Sequence, residues 1–252
     1  MRILALDTAT RATTVALSLP PAKPLELRDD PVRGQRPRHT TRLMPMIAEL
    51  LDQRDLEWAD LDRIAVGIGP GTFTGLRVGV ATAQALAQAS GIALVGVSTL
   101  QSLAINALSC RDGVGVGALL AVLDARRGEV FAAAWRPGDL AGALRGDSPR
   151  ETETTIDALV QPTAAGPDAL AELVRRVGPC TLAIGEGAVE FREVLERSGV
   201  LVPGDDSELH RVTAINHCRL AQQVTGDAFV DVRPTYLRRP DAEIALDLTG
   251  PK

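Results

Sequence analysis

The sequence predicts a mixed α/β fold built as two lobes, and three observations carry that prediction. A buried strand that ends on an aspartate and turns into a second strand occurs at residues 3–19 and again at 119–135. Between the copies, residues 64–97 read as strand, glycine turn, helix and strand. A glycine-rich break at 111–117 then separates the halves. Hairpins interleaved with helices around a repeated strand-to-aspartate unit are the pattern of the actin-like class. The expected lobes are 1–108 and 112–203, with a helix at 207–225 returning to the first lobe and a tail at 226–252.

Composition bounds the function. At 252 residues and 45 % hydrophobic, with a mean hydropathy of +0.07, the chain can bury a sizeable core. Aromatics are 3 % of residues, so platforms for stacking bases are scarce. A net charge of −5 argues against a large autonomous nucleic-acid surface. Cys110, Cys180 and Cys218 are widely spaced and odd in number, which favours free thiols over a disulfide framework. Residues 1–2 lead straight into a strand without a signal-peptide core, and no apolar run is long enough to span a membrane. The expected compartment is the cytoplasm, with no membrane partner.

Residues 3–6 are the first buried strand and 13–19 its hairpin partner, with Asp7 and Thr8 at the tip. Two readings of Asp7 stand side by side. A carboxylate at the end of a buried strand can hold a metal-bound phosphate, or it can cap its own turn through an Asx-type bond. Residues 20–37 form a solvated connection with a strand of modest quality. A helix follows, with Leu43, Met44, Ile47, Leu50 and Leu51 on one face and Pro45 in its first turn. His39 reads as a structural hydrogen-bonder or, less simply, a ligand.

Residues 64–68 are the next strand. The turn Gly69-Pro70-Gly71 opens a helix for which Thr72 and Thr74 are candidate N-caps, and Gly91 closes it. A glycine turn at a helix N-terminus can receive an anion, or simply turn tightly. It is not a P-loop, because the only lysines are Lys23 and Lys252. Small residues on most faces of this helix suit either a tight core or close approach of a partner helix. A second strand at 92–97 and a helix at 100–108 complete the first half. In the second half, Asp124 ends the repeated strand, 137–157 reads as loop, and helices are expected at 168–177, 189–198 and 209–224. Gly185-Glu186-Gly187 reads as a turn. His39, His210 and His217 offer no metal-ligand spacing, and neither a Ser/His/Asp nor a Cys/His set can be argued.

The stretch GIGPGTFTGLRVGVATAQALA at 67–87 resembles the GPG-S-FTGLR signature of the TsaB (YeaZ) family, with Thr72 in place of serine. Arg38-His39-Thr40 with Leu43 and Pro45 is similar to its R-H-S-x-x-L-x-P segment. Residues 124–131 resemble D-A-R-x-x-E-V-Y, with Phe131 replacing tyrosine, and 185–187 and 234–238 resemble G-[DE]-G and P-x-Y-L-R. The resemblance implies a Gcp-like, actin-like fold and a non-catalytic subunit in making threonylcarbamoyladenosine next to the tRNA anticodon. It implies a TsaD-like transferase subunit and a TsaE-like ATPase as partners and tRNA met only through the complex, and it leaves open whether the isolated chain is a monomer or a homodimer. The implied interface uses the two first-lobe helices, here Leu43, Met44, Ile47, Leu50, Leu51, Arg77, Val80, Ala83 and Ala87. No cofactor is expected beyond weak or interface-shared ATP or ADP. An active ATPase or sugar kinase is the alternative, with a degenerate nucleotide site at Asp7, Thr8, Gly69, Gly71, Asp124, Gly185 and Gly187.

Overall fold

A computed structural model describes residues 1–32, 34–109, 115–147, 156–225 and 232–238. Strands β1 (Ile3–Asp7), β2 (Thr13–Ser18) and β3 (Leu25–Asp29) form an antiparallel meander. Helix α1 (His39–Asp52) leads to β4 (Arg63–Gly69), then α2 (Phe73–Ser90) and β5 (Ala93–Ser98). Strands β4 and β5 join parallel to β1, which gives a sheet of order β3-β2-β1-β4-β5. The unbroken burial of β1 is what a central strand covered on both faces requires.

After α3 (Thr99–Ile105), the plan repeats. Strands β6 (Ala118–Arg126) and β7 (Glu129–Trp135) make a hairpin, followed by α4 (Pro137–Arg145), β8 (Val160–Ala165), α5 (Pro167–Val177) and β9 (Thr181–Ile184). The second sheet has the order β8-β7-β6-β9, with β9 parallel to β6 as β4 is parallel to β1. Helices α6 (Glu186–Glu190), α7 (Arg192–Arg197) and α8 (Ala214–Ala221) follow, the last helices among the described residues. Two sheets of equivalent plan, each begun by a hairpin, are the two-lobed actin-like α/β arrangement.

Three apolar clusters define five layers. Helices α1 and α2 cover one face of the first sheet through Leu43, Ile47, Leu50, Val80 and Ala83. The other face shares a core with the second sheet, filled by Leu103 of α3, Leu220 of α8, and Leu119 and Trp135 of the second sheet. Helices α5 to α7 cover the far side through Leu170, Leu173, Ala188 and Leu195. Burial of this kind is worth about 25 cal/mol per Å² of apolar surface, so the shared middle layer fixes the lobes to each other.

Helix α8 is tied to the first sheet along its length. Glu26 Oε1 accepts from Thr14 Oγ1 and from the amide of Ala214 at the helix start, at 2.8 and 2.6 Å. Arg63 donates to the carbonyls of Ala221 and Val224 at its end, both at 2.6 Å.

Four expectations are corrected. Residues 137–145 form a helix rather than loop: Pro137 starts it, Asp139 lies in its first turn, and Gly146 closes it at φ +78°. The last helix is shorter than 209–224, because Thr213 caps a helix beginning at Ala214 while Leu209 lies in a separate single turn. The expected helix at 189–198 is two, α6 beginning at Glu186 and α7 following the break at Phe191. The helix at 100–108 ends at Ile105 and continues as a 3₁₀ turn, Asn106–Ser109. The expected break at 111–117 and the tail beyond 238 lie largely outside the described residues.

Candidate functional site at the hairpin tip and first-lobe helices

Asp7 ends β1 inside the protein, 1 % exposed. Its Oδ1 accepts from the Ala9 amide at 2.7 Å, an Asx-type bond. Its Oδ2 accepts from Thr99 Oγ1 at 2.7 Å and lies 2.9 Å from His217 Nε2 on α8. Burial alone would raise the Asp7 pKa. The His217 hydrogen bond and charge, the Ala9 amide and the Thr99 hydroxyl outweigh it and hold the carboxyl below its usual value of 3.8. Thr99 Oγ1 also accepts from the Gly69 amide at 3.2 Å, which ties the glycine turn into the same network.

Sequence reasoning missed the next partner. Ser102 Oγ lies 2.8 Å from His217 Nδ1 and 3.1 Å from the Thr213 carbonyl. Serine, histidine and aspartate therefore do converge, against the expectation that no such set exists. All three are buried, with Ser102 and His217 at 0 % exposure. A nucleophile needs access to a substrate carbonyl, so this is a buried polar clamp between β1, α3 and α8. The available sequence signal was a histidine set among the apolar positions of the last expected helix.

The hairpin tip also packs directly on the start of α2. The Thr72 amide donates to the Ala9 carbonyl at 2.7 Å, and Thr8 Oγ1 donates to the Gly75 carbonyl at 2.7 Å. Thr72 is the N-cap residue of α2, but its side chain makes no cap bond, and Thr74 lies within the helix. A Cβ at Gly75 would stand 2.0 Å from the Thr8 carbonyl oxygen, and one at Gly79 would stand 2.3 Å from Thr8 Oγ1. A Cβ at Gly67 would stand 1.9 Å from Asp7 Oδ2. These glycines admit the protein's own hairpin rather than a ligand. Asp7 and Thr8, expected as a degenerate nucleotide site with Gly69 and Gly71, do not fit a phosphate or its metal here.

In the second lobe, Asp124 is half-buried, and its Oδ1 accepts from the Arg126 amide at 2.7 Å. Gly185, at φ +114°, starts α6 and lets the backbone pass where a Cβ would stand 2.1 Å from the Val122 carbonyl oxygen. Gly187 packs likewise on Leu123. Glu186 follows Gly185. Burial first, and the Asp124 charge second, push its carboxyl up to about 7, against the pull of Arg126, Arg11 and Arg28. His210 is held by the Gly185 backbone and by the carbonyls of Pro203 and Gly204. His39 is buried, with Nδ1 2.9 Å from Thr13 Oγ1, and burial lowers its pKa. Among the described residues, no three His, Cys, Asp or Glu side chains converge as metal ligands.

The first-lobe helices require a correction. Leu43, Ile47, Leu50, Leu51, Val80, Ala83 and Ala87 are buried, Ala83 completely, because they are the faces that α1 and α2 turn to the sheet. They cannot touch a partner in the folded chain. Met44 and Arg77 are exposed. The outward faces carry Met44, Pro45, Ala48 and Glu49 on α1, and Thr74, Arg77, Ala81, Gln84, Ala85, Gln88 and Ala89 on α2. The apolar residues were legible, but burial against one's own sheet and burial against a partner leave the same 3.6-residue pattern.

Comparison with known proteins agrees with the fold. The sequence model of the family described as "TsaD: tRNA N6-adenosine threonylcarbamoyltransferase" matches residues 34–246. The tRNA threonylcarbamoyladenosine biosynthesis protein TsaB of Escherichia coli (strain K12) is 31 % identical over 246 residues, 94 % of this chain and 95 % of that protein. The TsaB of Bacillus subtilis (strain 168) is 36 % identical over 136 residues, 52 % of this chain and 53 % of its own. A solved Pseudomonas aeruginosa structure, described as an uncharacterized protein with similarity to peptidase YEAZ, superposes with a TM-score of 0.70. It shares 25 % identity, and the match covers 94 % of this chain and 99 % of that one. YeaZ from Pseudomonas aeruginosa gives a TM-score of 0.64 at 27 % identity, over 88 % and 92 % of the two chains. With a relative matched over nearly its whole length and the two-lobed fold in common, the chain belongs to the TsaB (YeaZ) family of TsaD-related proteins, and its role lies in tRNA threonylcarbamoyladenosine biosynthesis.

Proposed function

We propose that this chain is a non-catalytic scaffold subunit that docks a TsaD-like transferase subunit on the outward faces of α1 and α2. A TsaE-like ATPase joins that assembly, tRNA is met only through it, and the work is cytoplasmic. The observation that carries the reading is the outward face of α2, where Ala81, Ala85 and Ala89 are exposed, as Met44 and Ala48 are on α1. Such small side chains let a second helix approach to the short end of helix-packing distances. The buried state of Asp7 supports a non-catalytic role, since the carboxylate best placed for metal or phosphate is already occupied by Thr99 and His217.

The test mixes the purified chain with its host's TsaD-like subunit and measures mass by light scattering on a sizing column. A one-to-one complex, lost in Ala85→Trp while the variant keeps its parent's circular dichroism, is the expected result. No complex at micromolar concentrations overturns the reading. The same faces also suit a homodimer, and the run without partner decides that arm.

A further inference from the structure

Residues 232–238 cross from one lobe to the other, and their anchors lie in different cores. Val232 is buried in the cluster between the first sheet and its outer helices, in the space left by Gly96, where a Cβ would stand 3.2 Å from Val232 Cγ1. Its carbonyl accepts from Gln84 of α2 at 2.8 Å. The Thr235 amide donates to the Ile68 carbonyl at the end of β4, also at 2.8 Å. The Tyr236 ring lies 5.1 Å from that of Phe73, and the Arg77 guanidinium stands 3.9 Å above the same Phe73 ring. Leu237 then packs against the core shared by the lobes. Arg238 pairs with Glu129, the first residue of β7, at 2.8 Å.

We propose that residues 232–238 act as a strap coupling α2 to the β6–β7 hairpin, so that a disturbance at either end is felt at the other. The segment touches α2 at Phe73, Arg77 and Gln84, one flank of the helix whose neighbouring face is Ala81 and Ala85. Its far end pairs with Glu129, the residue directly after the turn in which Arg126, Arg127 and Gly128 all have positive φ, at 67°, 56° and 73°. Backbone in the left-handed region is costly for non-glycine residues and persists only where its surroundings hold it. Arg238 on Glu129 is one such restraint. The inference rests on these contacts and not on the partner reading, so either can fail alone.

Hydrogen exchange of the full-length chain tests the strap. Val232→Asp removes the first-lobe anchor, and exchange in peptides covering the β6–β7 hairpin is expected to rise about tenfold, as for a local opening. An effect confined to the first lobe overturns the proposal. Arg238→Glu disturbs the other end without touching a core, and the first turn of α2 is expected to exchange about threefold faster, the scale of a partly exposed ion pair. The reversed pair, Glu129→Arg with Arg238→Glu, is expected to restore protection at α2. If α2 is unmoved by Arg238→Glu, or the reversed pair fails to restore it, the coupling does not exist. This second arm stands even if Val232→Asp unfolds the protein.

Discussion

The carboxylate of Asp7 meets the imidazole of His217 at 2.9 Å across 210 residues of chain, with both side chains buried. This contact joins the first strand to the last helix. It makes Asp7 the centre of a buried polar clamp. Two further donors, the Ala9 amide and the Thr99 hydroxyl, complete the carboxylate's shell. Both oxygens of the buried carboxylate are thus engaged by the protein's own donors.

Asp7→Ala is therefore expected to cost stability rather than a binding activity. Removing one member of a buried, hydrogen-bonded pair typically costs about 3–5 kcal/mol, because the other is left without a partner. Urea unfolding checks the size, and a cycle with His217→Ala is expected to show strong coupling between the two. The sign with pH follows from the lowered pKa. The ionised carboxylate contributes stability above its unfolded value near 3.8, and that stability is lost as pH falls through the lower folded value. A cycle showing independent, additive effects would refute the clamp.

The expected hairpins, the duplication and the strand–turn–helix were legible because each is a local pattern. Residues 3–6 and 119–123 are apolar runs, and Gly91 marks a helix end. Helix α4 was not, because Gly138 and Gly142 lie inside it, and glycine disfavours helix strongly enough to mask the start signal at Pro137 and the stop at Gly146. The site was less legible for a different reason. Nothing local links Asp7 to His217, since their distance is set by how α8 docks on the first sheet. The same reason put Ala83 on the wrong face: a stripe of small residues on α2 announces close packing, but not against what.

Placement of bulk on α2 separates the two faces. Ala83 is fully buried, so Ala83→Leu overpacks the core and is expected to cost about 1–3 kcal/mol, read as a lower urea midpoint. Ala85 is exposed, and Ala85→Leu is expected to change stability by less than about 0.5 kcal/mol. Equal costs at both positions would contradict the helix orientation described here.

Glu186 gives the chain a pH dependence of its own. Its carboxyl, near 4.5 when unfolded, rises to about 7 in the fold. Between those values the folded state holds the extra proton, so this group's contribution to stability falls as pH rises from 4.5 to 7. Glu186→Gln removes the penalty, and the variant is expected to exceed its parent by on the order of 1–3 kcal/mol at pH 8 and by little at pH 4.5. His39, whose pKa burial lowers, acts with the opposite sign below about 6.5, but it is common to both proteins and cancels in the difference. Chemical unfolding at the two pH values measures that difference. A gap that does not grow with pH would rule out the desolvated carboxyl.

The last prediction turns on a sign. Glycine inside a helix costs about 1 kcal/mol relative to alanine, so Gly79→Ala in the middle of α2 should stabilise the protein if helix propensity governs. The packing says otherwise. A Cβ at Gly79 would stand 2.3 Å from Thr8 Oγ1, and one at Gly75 would stand 2.0 Å from the Thr8 carbonyl oxygen. The Gly75 clash is with backbone that cannot rotate away, and the hairpin tip is held there by the Thr8 to Gly75 bond and by Asp7. Relief requires α2 and the hairpin to separate, which stretches the Thr72 to Ala9 bond as well. Gly75→Ala is therefore expected to destabilise by about 2–4 kcal/mol, and Gly79→Ala by less, because a threonine hydroxyl can turn aside. Thermal melts of the two variants decide between the views. A rise in Tm for Gly75→Ala would mean that the hairpin does not sit on α2, and the argument that this ground is closed to a phosphate would go with it.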